Sequence, residues 1–198
     1  AEVIALESPP QPGMVKIRLE TRQEEGSEGL WARLSRPDAG DNRGFQFMPE
    51  VGDEVVVQFL ESDPRYPIVM GSLWSGAKTP PAEAADENHE RCLVSRSGVT
   101  LKMVDEEGKE SLFLTTPNGQ SILLDDENSK IELRDRHGNA LVMNEEGITL
   151  ESAGDVKLEA TGDLDLDARG NLGLSGNGEL SLGSNGTLAQ QGRPIRLN

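Results

Sequence analysis

The chain has 198 residues, of which 35% are hydrophobic and only 4% aromatic, too little apolar material for one thick core. Its 19 Lys and Arg stand against 35 Asp and Glu, a formal net charge of −16. That balance disfavours a nucleic-acid ligand, which needs a basic face, and disfavours adhesion to anionic lipid.

Composition divides the chain near residue 81. Six of the seven aromatics (Trp31, Phe45, Phe47, Phe59, Tyr66 and Trp74) lie before residue 75, and nine of the eleven prolines lie at or before Pro81. The first 76 residues are therefore expected to build an ordinary compact core. They read as five strands. Residues 2–6 are short and apolar. Residues 14–20 alternate Val15, Ile17 and Leu19 against Lys16, Arg18 and Glu20, and residues 29–36 alternate Leu30, Ala32 and Leu34 against Trp31, Arg33 and Ser35. Residues 53–60 place Val55, Val57 and Phe59 on one face, and residues 66–74 follow a short turn. Five strands without a helical period suggest a small barrel of the OB architecture.

Residues 78–91 are led by prolines and then acidic, with no apolar period, and read as a solvated connector. The domain boundaries expected are 1–76 for the barrel, 77–97 for a linker or neck, and 98–198 for a second, repetitive region.

That region is governed by a repeat. Glycines fall at Gly154, Gly162, Gly170, Gly178 and Gly186, eight residues apart. After each come apolar residues at the second and fourth positions: Val156 and Leu158, Leu164 and Leu166, Leu172 and Leu174, Leu180 and Leu182, then Leu188. The intervening positions are polar, as in Asp163, Asp165 and Asp167. Each unit reads as a short strand with one apolar face, turned by a glycine able to adopt positive φ. Upstream the pattern is looser: Gly98 leads to Leu101 and Met103, Gly119 to Ile122 and Leu124, Gly138 to Leu141 and Met143, Gly147 to Ile148 and Leu150. A repeat of this length implies stacked units. Two inward aliphatics per octad cannot enclose a dry interior within one thin ribbon, but three ribbons around an axis can. The expectation is an all-β chain: a five-stranded barrel followed by an intertwined homotrimeric β-helix, a triangular prism whose corners are those glycines and whose core is those leucines.

Residues that carry chemistry elsewhere read blandly here. His89 lies in the connector and His137 in a turn between strands. The acids of 125–127 read as a polar turn, and Asp163, Asp165 and Asp167 as an outward acidic ladder rather than a general acid–base pair. Cys92 has no partner for a disulfide or a cysteine-based zinc site and reads as a small half-buried residue. No phosphate-binding or nucleophile-elbow motif is present. No enzyme activity and no cofactor are expected.

One segment is specific. Pro49, Gly52, Asp53, Glu54, Val55, Val57 and Phe59 spell P-x-V-G-D-E-V-x-V-x-F, and a turn with Asp63, Pro64 and Pro67 follows, then Gly71. This resembles the central-spike family of contractile injection machines: the VgrG-like proteins of type VI secretion, the spikes of extracellular injection systems and the baseplate spikes of contractile phage tails. The resemblance implies an OB-fold followed by a trimeric needle of octads, acting as a membrane-piercing spike between the hub, tube and baseplate proteins and a tip. It implies a PAAR-type tip protein seated near Leu188, Ile195 and Leu197, transient contact with the target membrane, and assembly in the bacterial cytoplasm before ejection, with no signal peptide. Family members with a hub domain place it before the barrel, so the chain, opening at Ala1, is expected to be a short spike or part of a longer one. Residues 78–97 leave no room for the lysozyme domain of some phage spikes. The alternative is an OB-fold glycan-binding or adaptor module on a β-helical stalk.

Overall fold

The computed structural model describes residues 1–19 and 28–193. Its regular elements are strands, apart from one 3-10 turn at Leu60–Ser62. Two units separate, residues 1–153 and 154–198.

The first unit opens with a closed barrel of five strands: β1 (Glu2–Ala5), β2 (Met14–Arg18), β3 (Leu30–Leu34), β6 (Glu54–Phe59) and β7 (Pro67–Leu73). The order around it is β1-β2-β3-β7-β6, with β3 and β7 parallel and the remaining pairs antiparallel. Closure between β1 and β6 rests on backbone bonds: the Val3 amide donates to Asp53 (2.9 Å), Val55 to Ala1 (2.7 Å) and Gly52 to Val3 (2.7 Å). A short hairpin, β4 (Ala39–Gly40) and β5 (Arg43–Gly44), rides on the β3–β6 connection.

The period-2 alternation turns Val15 and Ile17 of β2, Ala32 of β3 and Val55 of β6 inward, where they meet Val3 and Val69 with at most 1% of their surface exposed. Leu19, Leu30, Leu34 and Val57 pack around them. The core is thus aliphatic, not aromatic. Phe45, Phe47, Tyr66 and Trp74 are all more than half exposed. The physical reason is volume: a barrel of five short strands is filled by branched aliphatics.

The same unit continues into a seven-stranded antiparallel meander: β8 (Glu90–Val94), β9 (Thr100–Val104), β10 (Ser111–Thr115), β11 (Ser121–Asp125), β12 (Lys130–Arg134), β13 (Ala140–Asn144) and β14 (Gly147–Glu151). The sheet starts at Glu90, inside the stretch expected as connector. Three of its turns share one plan. Ser95, Thr116 and Asp135 each donate their own amide to the carbonyl four residues on, at Val99, Gln120 and Asn139, and each accepts that residue's amide on the side-chain oxygen, at 3.0, 3.3 and 2.9 Å. Gly98, Gly119 and Gly138 hold the left-handed position, φ +87°, +87° and +93°, as a type I turn closed by a G1 bulge requires. A Cβ at each would lie 3.5–3.7 Å from the next turn, at Pro117, Arg136 and Ala153, so the turns stack along one side of the sheet.

The second unit differs. From Val156 to Arg193 the described residues form no strand and no backbone-to-backbone hydrogen bond, though the Gly186 amide donates to Ser184 Oγ at 3.1 Å. The backbone bends at residues 153–154, 161–162, 169–170, 177–178 and 185–186, the positions of the octad glycines. These glycines do not have positive φ, contrary to the sequence expectation. They bend the chain from ordinary backbone conformations.

Candidate assembly surfaces

Strand register builds the first surface. Opposed residues across an antiparallel pair share a face. Leu93 of β8 opposes Leu101, Leu101 opposes Leu114, Leu114 opposes Ile122, Ile122 opposes Leu133, Leu133 opposes Leu141 and Leu141 opposes Leu150. A parallel row runs Met103, Leu112, Leu124, Ile131, Met143 and Ile148. The two rows make one unbroken apolar face, interrupted by no charge except Arg91 beside Met103 at the β8 edge. Much of it is open to solvent: Leu133 is 40% exposed and Ile148 73%. Leu114, Ile122, Leu133, Leu141 and Leu150 border a concavity of about 510 Å³ on this unit.

The opposite face is mixed: Phe113, Leu123 and Val142 lie in one row with Lys102 and Glu132. Lys102 pairs with Glu90, and Glu132 is held between Lys130 (3.1 Å) and Arg134 (2.6 Å). Hydrogen bonds from Arg134 and Lys130 keep the Glu132 carboxyl below the usual carboxylate range. One face is therefore apolar throughout its two rows, and the ion pairs of the sheet lie on the other.

A second surface lies on the octads. Val156, Leu158, Leu164, Leu166, Leu172, Leu174, Leu180, Leu182 and Leu188 are all exposed, between 57% and 67%. Nothing in the single chain covers them.

The start of the specific segment, residues 49–53, lies at a joint between barrel and sheet, and the rest of it lies in the barrel. Pro49 is buried, and Gly52 takes φ +88°. The Asp53 carboxylate accepts the Glu50 amide (2.8 Å) and the Lys78 ammonium (2.8 Å), while Lys78 also donates to the Gly52 carbonyl (2.6 Å). Arg96, in the first turn of the sheet, pairs with Glu50 at 3.0 Å. Burial works to raise the Asp53 carboxyl, but the bonds from Lys78 and Glu50 and the Lys78 charge outweigh it and hold the group below its ordinary value. Of the other residues, Glu54 opens β6 opposite Leu73, and Val55 enters the core. Phe59 pairs with Pro67, and Gly71 sits opposite Val56 beside the irregularity at Met70. Asp63 accepts the Arg65 amide (2.9 Å) and pairs with its guanidinium (2.6 Å) in the turn containing Pro64.

His137 lies in the β12–β13 turn, its amide donating to Asp135. Among the described residues no group of three or more His, Cys, Asp or Glu is arranged to hold a metal ion. Ile195 and Leu197, expected at the tip, lie outside the described residues. The sequence reading missed the β4–β5 hairpin, strand β8 and the roughly twenty-residue spacing of the three matched turns. The recurring Ser/Thr/Asp three residues before a glycine was the available signal for the last.

The site is thus a closed five-stranded barrel leading into an antiparallel sheet with an exposed apolar face. Residues 1–74 match the type VI secretion system/phage-baseplate injector OB domain, and residues 111–167 match the phage baseplate V C-terminal trimerisation domain. Both matches are to domains of the VgrG-like and contractile-tail spike family, which the chain resembles over these two stretches. It is similar to the type VI secretion system spike proteins VgrG1b and VgrG1c of Pseudomonas aeruginosa, at 34% identity over 57% of this chain and 17% of the relative, and at 32% over 60% and 18%. It is also 33% identical to the actin cross-linking toxin VgrG1 of Vibrio cholerae, over 52% of this chain and 10% of that protein. The chain spans about a fifth or less of the length of these relatives.

Proposed function

We propose that the chain is the structural spike of a contractile injection machine, trimeric and without enzymatic activity of its own. The observation that carries this reading is the bare apolar face of the meander, followed by octads whose leucines find no cover within one chain. The match to a trimerisation domain supports a homotrimer, and the names of the relatives support a spike. In this reading residues 1–76 form the barrel that joins the hub, tube and baseplate proteins. Residues 77–97 are the neck, its end already shaped into β8, and residues 98–198 form the needle. Val156, Leu158, Leu164, Leu166, Leu172, Leu174, Leu180 and Leu182 make its core, and Gly154, Gly162, Gly170, Gly178 and Gly186 its corners. The particle assembles in the cytoplasm and the spike is driven into the target envelope. Residues from Leu188 onward, Ile195 and Leu197 among them, seat a PAAR-type tip.

Stiffness would come from continuous β-pairing around a dry interior, and lack of lipid affinity from an acidic coat. The glycan-binding or adaptor alternative draws no support from the names of the relatives. Light scattering tests the proposal: three chains of 21.4 kDa give a particle of about 64 kDa. A stable monomer at micromolar concentration would end it.

A further inference from the structure

We infer that the barrel carries a docking cleft for an acidic peptide segment of a partner protein, held there by Arg33 and Arg36 beside the β4–β5 hairpin. This deepens the spike reading, in which the barrel joins other proteins, and rests on it for the partner being a protein.

The cleft has a volume of about 710 Å³, within the range of about 300–1,000 Å³ usual for ligand sites. Arg33 and Leu34 of β3, Arg36 just beyond it, and Arg43, Phe45 and Met48 of the β3–β6 connection line it. Three arginines gather here in a chain whose acids outnumber its bases 35 to 19. Among the described lining residues the one acid is Asp38.

That acid is already taken. Arg43 Nη1 donates to both Asp38 oxygens, at 2.6 and 2.8 Å. Gly40 makes room for this pair, since a Cβ there would lie 2.8 Å from the Arg43 guanidinium. The Phe45 amide donates to the Asp38 carbonyl at 3.0 Å and fixes the hairpin. The rim is thus built from bonds of its own and needs no ligand to shape it.

Arg33 and Arg36 are left over. Among the described residues no carboxylate pairs with either of them. Arg36 is half-buried, and its guanidinium donates to Met48 Sδ, a weak acceptor, at 3.8 Å. Burial lowers its pKa below the ordinary arginine value, with no carboxylate opposing the shift. A guanidinium stays charged in a protein, so this one loses water without gaining a counter-ion. A carboxylate entering the cleft would supply one.

Two features select an acidic peptide over a nucleic acid. The walls are partly apolar: Phe45 is 55% exposed and Met48 37%, which suits aliphatic side chains set between acids. A phosphate polymer would also run past two guanidiniums onto a chain of net charge −16, whereas a short acidic segment ends with the cleft.

Fluorescence anisotropy on the full chain tests this, with a fluorescein-labelled hexapeptide of alternating glutamate and leucine as the probe. The counterpart with glutamine in place of glutamate is expected to bind at least about tenfold more weakly. Arg33→Gln and Arg36→Gln are each expected to weaken the acidic peptide by about tenfold, and Arg65→Gln, in the same barrel but outside the cleft, to leave it unchanged. Added salt should weaken the acidic peptide as well. If Arg36→Gln lowers the melting temperature of the barrel, the exposed Arg33→Gln alone carries the comparison. Equal binding of the two peptides, binding that survives both cleft variants, or no binding at millimolar peptide overturns the inference. So does inorganic phosphate or a thymidine oligonucleotide that displaces the peptide at lower concentration than unlabelled peptide does, because the site would then be one for phosphate. A monomer in light scattering fails the spike reading and leaves the peptide measurement standing, so the two failures are distinguishable.

Discussion

At Asp53 a single carboxylate organises the joint between barrel and sheet, accepting the Glu50 amide and the Lys78 ammonium. Its folded value lies below that of the unfolded chain, near 3.9. The sign follows from linkage: its stabilising contribution is complete above the unfolded value and is lost as pH falls through the lower folded one. Asp53→Asn should therefore lower stability near neutrality, where that contribution is fully present, and flatten the part of the acid-denaturation profile below about pH 4. Thermal melts of both proteins between pH 2 and 7 check this, and parallel acid profiles would refute it. At Gly119 the argument is conformational. A φ of +87° disfavours any Cβ, although Arg136 leaves ordinary room at 3.5 Å. Gly119→Ala should cost about 1–2 kcal/mol of stability, read from denaturant midpoints. An unchanged midpoint would show that the turn can relax.

At the scale of elements, the alternation along each strand decides which substitutions matter. Leu166 and Asp165 are neighbours in sequence and opposite in face. In the trimer proposed here, Leu166→Asp places three carboxylates together in a low-dielectric core, and desolvation and mutual repulsion should lower the melting transition sharply. Asp165→Ala should move it little, and equal sensitivity at the two sites would reverse the assigned faces. The five barrel strands were legible because alternation with period 2 survives in each, and Val15, Ile17, Ala32 and Val55 turn inward as it dictates. Strand β8 was not legible: Glu90 and Arg91 continue an acidic, proline-led stretch, and only pairing with β9 makes Cys92 to Val94 a strand. Composition counts the aromatics before residue 75 but does not say where they fit: Phe45 and Phe47 lie outside the barrel strands, just beyond the β4–β5 hairpin. In the meander the apolar pairs at Leu101 and Met103, Ile122 and Leu124, and Leu141 and Met143 were visible. Their arrangement as hairpins about twenty residues apart was hidden, because the Ser95, Thr116 and Asp135 turns differ in residue type while sharing hydrogen bonds. The octad face could be read as a pattern, and in the described residues its apolar side chains stand exposed.

For the whole molecule, the exposed apolar face of the sheet and the uncovered octads tie stability to association. Patches much beyond a few hundred Å² are rare on monomeric soluble proteins, and this chain presents them along two successive regions. If those surfaces are covered only between copies, the stalk has no core to retain once the chains part. Dissociation and loss of stalk structure then become one event, and the melting temperature depends on protein concentration by mass action. The barrel is different: Val3, Val15, Ile17, Ala32, Val55 and Val69 close a core within one chain, so its unfolding need not follow the same law. The expected result is two transitions in a thermal scan. One should rise in temperature with each tenfold increase in concentration, followed by exchange or circular dichroism of the stalk. The other should stay fixed, followed by fluorescence of Trp31, which lies on β3 of the barrel. Raising salt should raise the first, because each copy carries a net charge of −16 and salt screens the repulsion between associated chains. A single transition independent of concentration would mean that the apolar faces find their cover within one chain, contrary to the assembly argued from their exposure.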